Sequence, residues 1–588
     1  MENKKIAVIG LDGANPETVE KLVKEERMPN FAALKDKGSG GKLKTTNVSQ
    51  SPVAWSTFQT GMNPGKHGIF DFIIRNAKTM QLDIGLANER VDEKGNSHYS
   101  KRIKKPAIWH YLGKKGFRSI ALFIPVTFPA EKISGVQVSG MGLPDLRGTQ
   151  GLPTLYTTSE QEAEKEDRVL LEYSERIETK ITGPREQIQL TIKPLEESIE
   201  IEVQGKRIEL KKGQWSNFLE LDFSGTKGMA RFKLLEYEGK RIKLYLSPIM
   251  RSQLNPDVPI AYPEKLSKEL MTECGCYKPL SFESDVHALK EEMINEKTWL
   301  EDMRYTFEQR IKTAKHLLEN NKWNFFAIDL FPVDRVQHLF WRYVDKKHPL
   351  FEESEYETKI NETYELADKK IGELLESLGE ETLVFLISDH GFASYRKAVE
   401  LNKILAQEGF LKMESGETGS FFSVDWSKTE AYALGFSSIY LNRQGREKYG
   451  IVSEKDAEGI IENIRLALKK YSFDGEKPFE ELHKSMDFYS LESADLPDMI
   501  PIYKKGYRSA KASTIGAVPA LDSIHDNLNK WSGDHIGPFE ESTLPGIIYC
   551  SEDLGLKEAR IVDLAPTVLQ FFDIEKPKEM DGKSLLEA

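Results

Sequence analysis

The chain has 588 residues, of which 39% are hydrophobic and 30% are charged, and its mean hydropathy is -0.47. This composition is typical of soluble globular proteins with several structural units, and it argues against a disordered or membrane-spanning chain. The net charge of -12 at pH 7 argues against nucleic acid as the main partner, because phosphate backbones are bound through an excess of Lys and Arg.

Cysteine content and the first residues bear on the compartment. The three cysteines, Cys274, Cys276 and Cys550, are too few for a disulfide framework, and Cys274-Gly-Cys276 lacks the spacing of a zinc knuckle. The first residues lead directly into the apolar run Ile6–Gly10 without a signal-peptide core. No apolar stretch reaches the roughly 20 residues that span a bilayer. We therefore expect a cytoplasmic protein without a membrane span.

Short apolar runs followed by helical patterns recur along the chain. They predict the buried strands of a wound, mostly parallel α/β sheet flanked by helices. Asn15-Pro16, after the first run, is a cap and first-turn pair that opens a helix toward Lys37. The four runs are Lys5–Leu11, Arg118–Ile124, Trp323–Leu330 and Thr382–Ile387.

Two long stretches interrupt this pattern. Residues 152–300 contain alternating segments between Gly and charged turns, which predict a β-rich inserted cap domain. Residues 394–532 are expected to form a second insertion or cap, with a helix near Glu454–Lys470. The catalytic core is then divided into 1–151, 301–393 and 533–588. The alternating segments are Gln187–Lys193, Ile199–Val203, Arg207–Leu210, Ala230–Leu235 and Arg241–Leu246.

Acidic residues and histidines follow the predicted core strands. Asp12 ends the first strand, and Asp389 and His390 come directly after Thr382–Ile387. Because open α/β sheets place ligands at the carboxyl ends of their strands, these side chains are expected to converge on one crevice. Asp334 and His338 lie four residues apart and share one face if a helix starts there. Convergent carboxylate and imidazole ligands are typical of a metal site.

Ser51 opens a short helical run that ends at Gly61 and carries Pro52 in its first turn. As a helix cap, Ser51 needs no further role. A hydroxyl at a helix N-terminus also lies where backbone amides and the dipole stabilise an anion, either its own alkoxide or a phosphate. With a metal nearby, Ser51 is a candidate nucleophile.

The order of these elements resembles the alkaline-phosphatase superfamily, and within it the type I phosphodiesterase/nucleotide pyrophosphatase family and its phosphohydrolase or phosphomutase branch. The stretch Thr60–Ile69 begins nine positions after Ser51 and is similar to the family's T-G-x-x-P-x-x-H-G-I sequence at the family's spacing. Ser532–His535, the strand run Leu544–Cys550 and a closing helix over Ile561–Leu569 are also similar. The resemblance covers the core but not the insertions.

The resemblance implies a phosphoric-ester hydrolase, either a phosphodiesterase or a phosphomonoesterase, that acts on a small phosphate ester through a phosphoseryl intermediate on Ser51. It also implies two divalent metal ions, most readily Zn²⁺ and alternatively Mn²⁺. One ion is expected on Asp12, Ser51, Asp389 and His390, and the other on Asp334, His338 and His535.

Several features depart from the closest patterns and leave alternatives open. Nucleotide pyrophosphatases carry a phosphate-binding Asn three residues after their H-G-I stretch, and Phe72 stands at that place. Sulfatases need a C/S-x-P-x-R pattern, whereas Pro52 directly follows Ser51 and Trp55 replaces the Arg. A cofactor-independent phosphomutase would use the same site. A phosphoryl-group transferase, a sulfatase-like hydrolase and an inactive metal-stabilised binding protein are the weaker alternatives.

Three basic residues lie near these motifs. Lys66 and Arg75 are candidates for substrate binding, since either could supply positive charge to a phosphate. Arg335, inside the Asp334–His338 turn, is expected by helical spacing to face away from both ligands, and the alternative is that it orients them from outside the metal site. The sequence does not predict the physiological substrate or the oligomeric state.

Overall fold

The computed structural model describes residues 4–93, 97–280, 285–436, 438–489, 495–535 and 544–587. The chain forms two compact units. Unit 1 consists of Met1–Val126, Ile133–Gly135 and Asn321–Ala588, and unit 2 consists of Thr127–Lys132 and Val136–Asn320. Every residue predicted to take part in chemistry belongs to unit 1.

Unit 1 is built on seven strands of one sheet, in the order β3-β4-β1-β5-β6-β2-β7. The strands β3, β4, β1 and β5 are mutually parallel, and β6 runs antiparallel to both of its neighbours. In chain order the strands are β1 (Ile6–Leu11), β2 (Ser39–Lys44), β3 (Ser119–Leu122), β4 (Phe325–Leu330), β5 (Leu383–Ile387), β6 (Gly546–Cys550) and β7 (Glu558–Arg560).

The central strands carry the apolar runs that the sequence predicts. Every residue of β1, β4 and β5 is buried, which requires cover on both faces of the sheet. One group of helices that pack on each other comprises Pro16–Lys24, Pro29–Lys37, Pro332–Phe340 and Lys359–Leu378. A second group comprises Ser51–Thr60, Ile108–Lys114 and Leu564–Phe571. The α/β fold class is thereby confirmed.

The remainder of unit 1 forms small sheets and short helices. A four-stranded sheet is formed by Ala431–Ala433, Ile439–Leu441, Met499–Tyr503 and Phe479–Lys484. A three-stranded sheet is formed by Tyr507–Ser509, Lys397–Val399 and Ile524–Asp526. Strand pairs are Ile73–Asn76 with Gln81–Ile84, Ala87–Val91 with Ser97–Lys101, and Ala393–Ser394 with Gly533–Asp534. Further helices are Pro64–His67, Leu401–Gln407, Glu454–Lys470 and Lys511–Thr514.

Unit 2 is rich in β-structure. One four-stranded sheet is formed by Ile177–Thr182, Gln187–Pro194, Ser198–Val203 and Lys206–Lys211, and another by Arg168–Leu170, Thr154–Thr157, Arg241–Leu246 and Phe232–Glu238. A smaller sheet contains Leu219–Phe223, Thr226–Ala230 and Met250–Arg251. The helices are Glu160–Ala163, Lys265–Glu273, Val286–Lys290 and Glu296–Asn320. The alternating segments predicted for this region are therefore strands, whereas the role of the region as a cap stays a prediction.

Local differences from the predicted elements have simple causes. The helix expected to extend to Lys37 is divided into Pro16–Lys24 and Pro29–Lys37, because Pro29 starts a new helix at its first position. Asn15 caps the first of these helices through its side chain, as predicted. No helix among the described residues is long and apolar enough to cross a membrane.

Gly10 in β1 allows close packing near the carboxyl end of the strand. A Cβ atom at this position would lie 2.3 Å from Trp55 Cη2 and 2.9 Å from Asp329 Oδ1. Trp55 is fully buried and donates a hydrogen bond from Nε1 to Asp12 Oδ2 at 3.0 Å. The missing side chain of Gly10 therefore makes room for the indole that orients Asp12.

We expect Gly10→Ala to lower the free energy of unfolding by about 1–3 kcal/mol, because the added methyl group overpacks a site with no free volume. Thermal and denaturant unfolding measure the change. Gly459→Ala is the matched control: Gly459 is an exposed helical residue with no atom near its would-be Cβ, so Ala should be neutral or stabilising by up to about 1 kcal/mol. Equal stability of the two variants would contradict the packing argument.

Candidate active site

Parallel strand ends bring the acidic residues together. Asp12 follows β1, Asp389 follows β5, and Asp334 lies in the helix Pro332–Phe340 after β4. All three carboxylates are buried, and none of their side chains is more than 2% exposed. The convergence predicted from the sequence is therefore present.

The helix Ser51–Thr60 presents the candidate nucleophile. Gln50, in extended conformation, occupies the cap position, so Ser51 is the first helical residue rather than the cap that the sequence predicts. Its hydroxyl makes no capping bond and faces the acidic residues instead. Ser51 Oγ lies 3.4 Å from Asp12 Oδ1 and 3.2 Å from His390 Nε2.

A first cluster contains Asp12, Asp389 and His390, whose ligand atoms all lie within 4.8 Å of one another. His390 Nε2 is 3.6 Å from Asp12 Oδ1 and 3.2 Å from Asp389 Oδ2. The other oxygen of Asp389 accepts a hydrogen bond from the backbone N–H of Gly13 at 3.3 Å. With the Ser51 hydroxyl, these groups form a compact set of oxygen and nitrogen ligands.

A second cluster surrounds Asp334. His338 Nε2 lies 3.4 Å and His535 Nε2 lies 4.0 Å from Asp334 Oδ1. Asp334 and His338 share one face of their helix, as the four-residue spacing predicts. His390 joins the two clusters: its ring stacks on that of His535 at a centroid distance of 3.8 Å, and its ligand atom also falls within the group formed with Asp334 and His535.

All three histidines are oriented in the same way. Nδ1 of His338 faces the Gly533 carbonyl at 2.8 Å, Nδ1 of His390 faces the Gly391 carbonyl at 3.1 Å, and Nδ1 of His535 faces the Ser49 carbonyl. A carbonyl oxygen can only accept, so Nδ1 carries the proton in each ring. Each Nε2 is then left with a lone pair directed at the carboxylates, which is the arrangement of a metal-binding histidine.

Burial sets the ionisation of the first cluster. Desolvation and the charges of Asp389, Asp329 and Asp334 raise the pKa of Asp12 well above its usual value, against a lowering by the Trp55 hydrogen bond. Desolvation and Asp334 likewise raise the pKa of Asp389. Desolvation and His535 lower the pKa of His390 well below its usual value, so the imidazole is neutral and able to act as a ligand.

In the second cluster, the pKa of the carboxyl group is lowered instead of raised. Desolvation would raise the pKa of Asp334, but His338, Arg335 and His535 outweigh it, and the pKa is lowered. Desolvation lowers the pKa of His535 to about 4. This side of the site therefore combines a carboxylate that stays charged with a neutral imidazole.

The residues present fit divalent cations. Asp334 Oδ1 and Asp389 Oδ2 are buried and make no hydrogen bond among the described residues, although each lies within ion-pair distance of an imidazole. Buried polar atoms of this kind call for a missing partner. Several carboxylate oxygens and three imidazole nitrogens form the donor set expected for zinc or manganese.

The basic residues are placed differently from the sequence expectation. Lys66 Nζ is paired with Asp581, and Arg75 is paired with Glu447 at 2.7 Å and stacked 3.9 Å from the Tyr440 ring. Neither contact involves a member of the two clusters, so their role in substrate binding stays a prediction. Arg335 does not face away from both ligands: Nη1 lies 3.0 Å from Asp334 Oδ2, because its long side chain folds back onto the neighbouring residue. Its contact with a candidate ligand agrees with the alternative expectation that it orients the ligands from outside the metal site.

The sequence did not predict three further residues that act on members of the two clusters. Trp55 lies four residues after Ser51, a helical spacing that places it on the same face. Asp329 is an acid inside the otherwise apolar strand β4, and its charge acts on Asp12. Trp531 stacks on His338 at a centroid distance of 3.6 Å. The helical spacing of Trp55 and the acidic residue in an apolar strand could have been recognised in the sequence. Trp531 contacts His338 only through the tertiary structure.

Among the comparisons with known proteins, a family model matches most of the chain. The model of the type I phosphodiesterase/nucleotide pyrophosphatase family matches residues 6–197 and 248–531. Among curated proteins, the 2,3-bisphosphoglycerate-independent phosphoglycerate mutase of Acetivibrio thermocellus is 47% identical over 205 residues, which are 31% of this chain and 37% of that protein. The enzyme of the same name from Anaplasma marginale is 35% identical over 79 residues, 13% of this chain and 16% of that protein. Each alignment thus spans well under half of the relative.

Two solved structures are similar at low identity. Human ectonucleotide pyrophosphatase/phosphodiesterase 5 has a TM-score of 0.46 and 10% identity, with 99% of both chains covered. Phosphonoacetate hydrolase from Sinorhizobium meliloti 1021, in complex with phosphonoformate, has a TM-score of 0.47 and 12% identity, with 97% of this chain and 95% of that chain covered.

We expect added Zn²⁺ to raise the Tm of the chelator-treated protein, and the gain to be larger at about pH 8 than at about pH 5.5. Because the pKa values of Asp12 and Asp389 are raised in the folded state, these carboxyls favour folding while protonated and disfavour it as pH rises. A cation removes that cost by replacing the protons. Thermal unfolding at both pH values, at one free Zn²⁺ concentration, measures the effect.

Asp389→Asn is the comparison variant for this measurement, since it removes one of the two titrating carboxylates and should reduce the pH dependence. A gain in Tm of the same size at both pH values would contradict the assignment of protonated carboxyls.

Proposed function

The chain belongs to the type I phosphodiesterase/nucleotide pyrophosphatase family, and from this premise we propose that it is a metal-dependent phosphoric-ester hydrolase with Ser51 as its nucleophile. The observation that carries the proposal is the position of the Ser51 hydroxyl, 3.4 Å from Asp12 Oδ1 and 3.2 Å from His390 Nε2 at the start of a helix. The described hydrogen-bond partners of the Ser51 hydroxyl are these two groups, so it makes no bond within its own helix.

Two divalent cations complete the site in this proposal. Asp12, Ser51, Asp389 and His390 would hold one, and Asp334, His338 and His535 would hold the other. Zn²⁺ suits the imidazole and carboxylate ligands best, and Mn²⁺ is the alternative. When bound, the cations supply positive charge that favours the ionised Ser51 hydroxyl and neutralises the phosphate oxygens.

The residues of the chain then carry the reaction. Ser51 Oγ forms a bond to phosphorus as the bond to the ester oxygen breaks, which gives a phosphoseryl intermediate and a released alcohol. The helix Ser51–Thr60 contributes its N-terminal N–H groups and dipole, which favour negative charge at this position. Trp55 holds Asp12 in place through its hydrogen bond. Attack by water on the phosphoseryl group completes hydrolysis.

A phosphomutase is the second candidate, and the curated relatives favour it. The protein from Acetivibrio thermocellus that is 47% identical over 205 residues is named a 2,3-bisphosphoglycerate-independent phosphoglycerate mutase. A mutase would return the phosphoryl group from Ser51 to another hydroxyl of the same substrate instead of to water. The two functions share the site and differ in the acceptor.

The proposed substrate is a small phosphate ester, and the proposed location is a reducing compartment. The overall charge of -12 is unfavourable for binding nucleic acid. The three cysteines are all buried and free, which supports the cytoplasm as the compartment.

Ser51→Ala is expected to reduce turnover of p-nitrophenyl phosphate and bis-p-nitrophenyl phosphate by about a thousandfold or more in the presence of Zn²⁺ or Mn²⁺. Release of p-nitrophenol measures the rate. The matched control is Ser56→Ala, because Ser56 lies on the same helix but donates to the Pro52 carbonyl at 2.6 Å. Full activity of Ser51→Ala would refute the nucleophile assignment.

Hydrolase and mutase are separated by the fate of phosphate. We expect ³¹P NMR of the wild type with a phosphate ester that carries a second hydroxyl to show inorganic phosphate, because water is the acceptor in the hydrolase. A new phosphate ester without inorganic phosphate would instead identify the mutase.

A further inference from the structure

Arg508 is a charged residue next to the clusters that the proposed reaction does not use. Its Nε lies 3.0 Å from Asp534 Oδ2. Asp534 is in turn fixed to the site, since Oδ1 accepts a hydrogen bond from the His535 N–H at 2.9 Å and Oδ2 accepts one from Trp531 Nε1 at 2.8 Å. Trp531 stacks on His338. Arg508 is thus linked to His535 through Asp534 alone, and to His338 through Asp534 and Trp531.

An aromatic surface lies beside the Arg508 guanidinium. Its Cζ is 4.6 Å from the centre of the Phe436 ring, which contacts the Phe72 ring edge-on at 6.1 Å. The Phe436 N–H donates to Asp71 Oδ2 at 2.8 Å. Arg508, Phe436 and Phe72 are all only partly buried. The residue at the position of the family's phosphate-binding Asn therefore extends an aromatic surface toward an arginine.

The charge of Arg508 is less fully compensated than that of the other basic candidates. Arg75 and its partner Glu447 have side chains exposed by 1% and 0%, and Lys66 is bound to Asp581. The described polar partners of Arg508 are Asp534 and the Tyr395 hydroxyl. Asp534 also serves Trp531 and His535. A guanidinium has five N–H donors in a planar fork, so part of the fork remains for a ligand.

The position of Arg508 indicates which part of a substrate it would meet. Ser51 Oγ contacts Nε2 of His390, whose ring stacks on that of His535. The His535 N–H in turn donates to Asp534, the partner of Arg508. In an in-line displacement at phosphorus, the leaving oxygen departs on the side opposite the nucleophile. Because this series of contacts leads away from Ser51, we assign the side of Arg508 to the leaving group.

We propose that Arg508 is a specificity-determining residue that binds an anionic group, a carboxylate or a second phosphate, on the alcohol that leaves. The Phe436 ring packs against the apolar part of the same alcohol. This inference rests on the proposed function for the identity of the reacting phosphoryl group. It assigns the substrate class as phosphate esters of anionic alcohols.

The test compares the binding of two non-hydrolysable probes to the metal-loaded protein by titration calorimetry. Benzylphosphonate and 4-carboxybenzylphosphonate differ only in the carboxylate. We expect the wild type to bind the carboxylated probe about 10- to 100-fold more tightly, as charge-assisted hydrogen bonds allow. Arg508→Ala should abolish that ratio while leaving benzylphosphonate binding within about threefold. Arg508→Lys should retain part of the ratio, since it keeps the charge and loses the fork.

A control variant tests whether the effect is specific to Arg508. Arg396→Ala removes another partly buried arginine paired with an aspartate, Asp345, and should leave the ratio unchanged. A third probe, p-xylylenediphosphonate, distinguishes a phosphate-selective site from a carboxylate-selective one. Equal binding of all three probes by the wild type, no binding of any of them, or equal weakening of all of them by Arg508→Ala would overturn the inference.

The inference about Arg508 and the proposed hydrolase function can fail independently of each other. If the wild type fails to hydrolyse p-nitrophenyl phosphate yet discriminates between the phosphonates through Arg508, the hydrolase proposal fails and the anion-binding role of Arg508 stands. If the wild type hydrolyses the ester but does not discriminate, only the inference on Arg508 fails.

Discussion

Burial of several carboxylates at one point is the constraint on which this site depends, because desolvation and then mutual repulsion disfavour their charges. Asp12, Asp329, Asp334 and Asp389 are all 1% exposed or less. Two like charges about 4 Å apart repel by about 4 kcal/mol at an effective dielectric constant of 20. The protein offsets this cost with raised pKa values at Asp12 and Asp389 and with Arg335 and imidazoles around Asp334. Divalent cations would remove it entirely.

The surrounding structure is arranged so that this repulsion does not displace the ligands. Backbone carbonyls fix Nδ1 of all three histidines, Trp55 holds Asp12, and the Gly13 N–H holds Asp389. The Ser388 hydroxyl joins two strand ends, since it accepts from the Ala14 N–H and donates to the His390 carbonyl. Outer contacts of this kind fix the orientation of side chains that bind a metal.

Positive charge is distributed unevenly around this acidic centre. Arg335 is paired with Asp334, while Lys66 and Arg75, which follow the candidate nucleophile in the chain, are paired with Asp581 and Glu447. Both of these pairs join segments that are far apart in the sequence. Arg508, which comes from a distant part of the chain, is the arginine that joins the second cluster through Asp534.

The sequence by itself determined the central strands, the helical spacing of Asp334 and His338, and the placement of Asp12 and Asp389 at strand ends, because these depend on local periodicity and on the direction of parallel strands. It did not determine the first residue of the Ser51 helix, where an extended Gln50 takes the cap. The partners of Lys66 and Arg75 and the stacking of His390 on His535 were decided only by the tertiary structure. Long side chains reach across several residues, and contacts between segments more than a hundred positions apart leave no periodic signal in the chain.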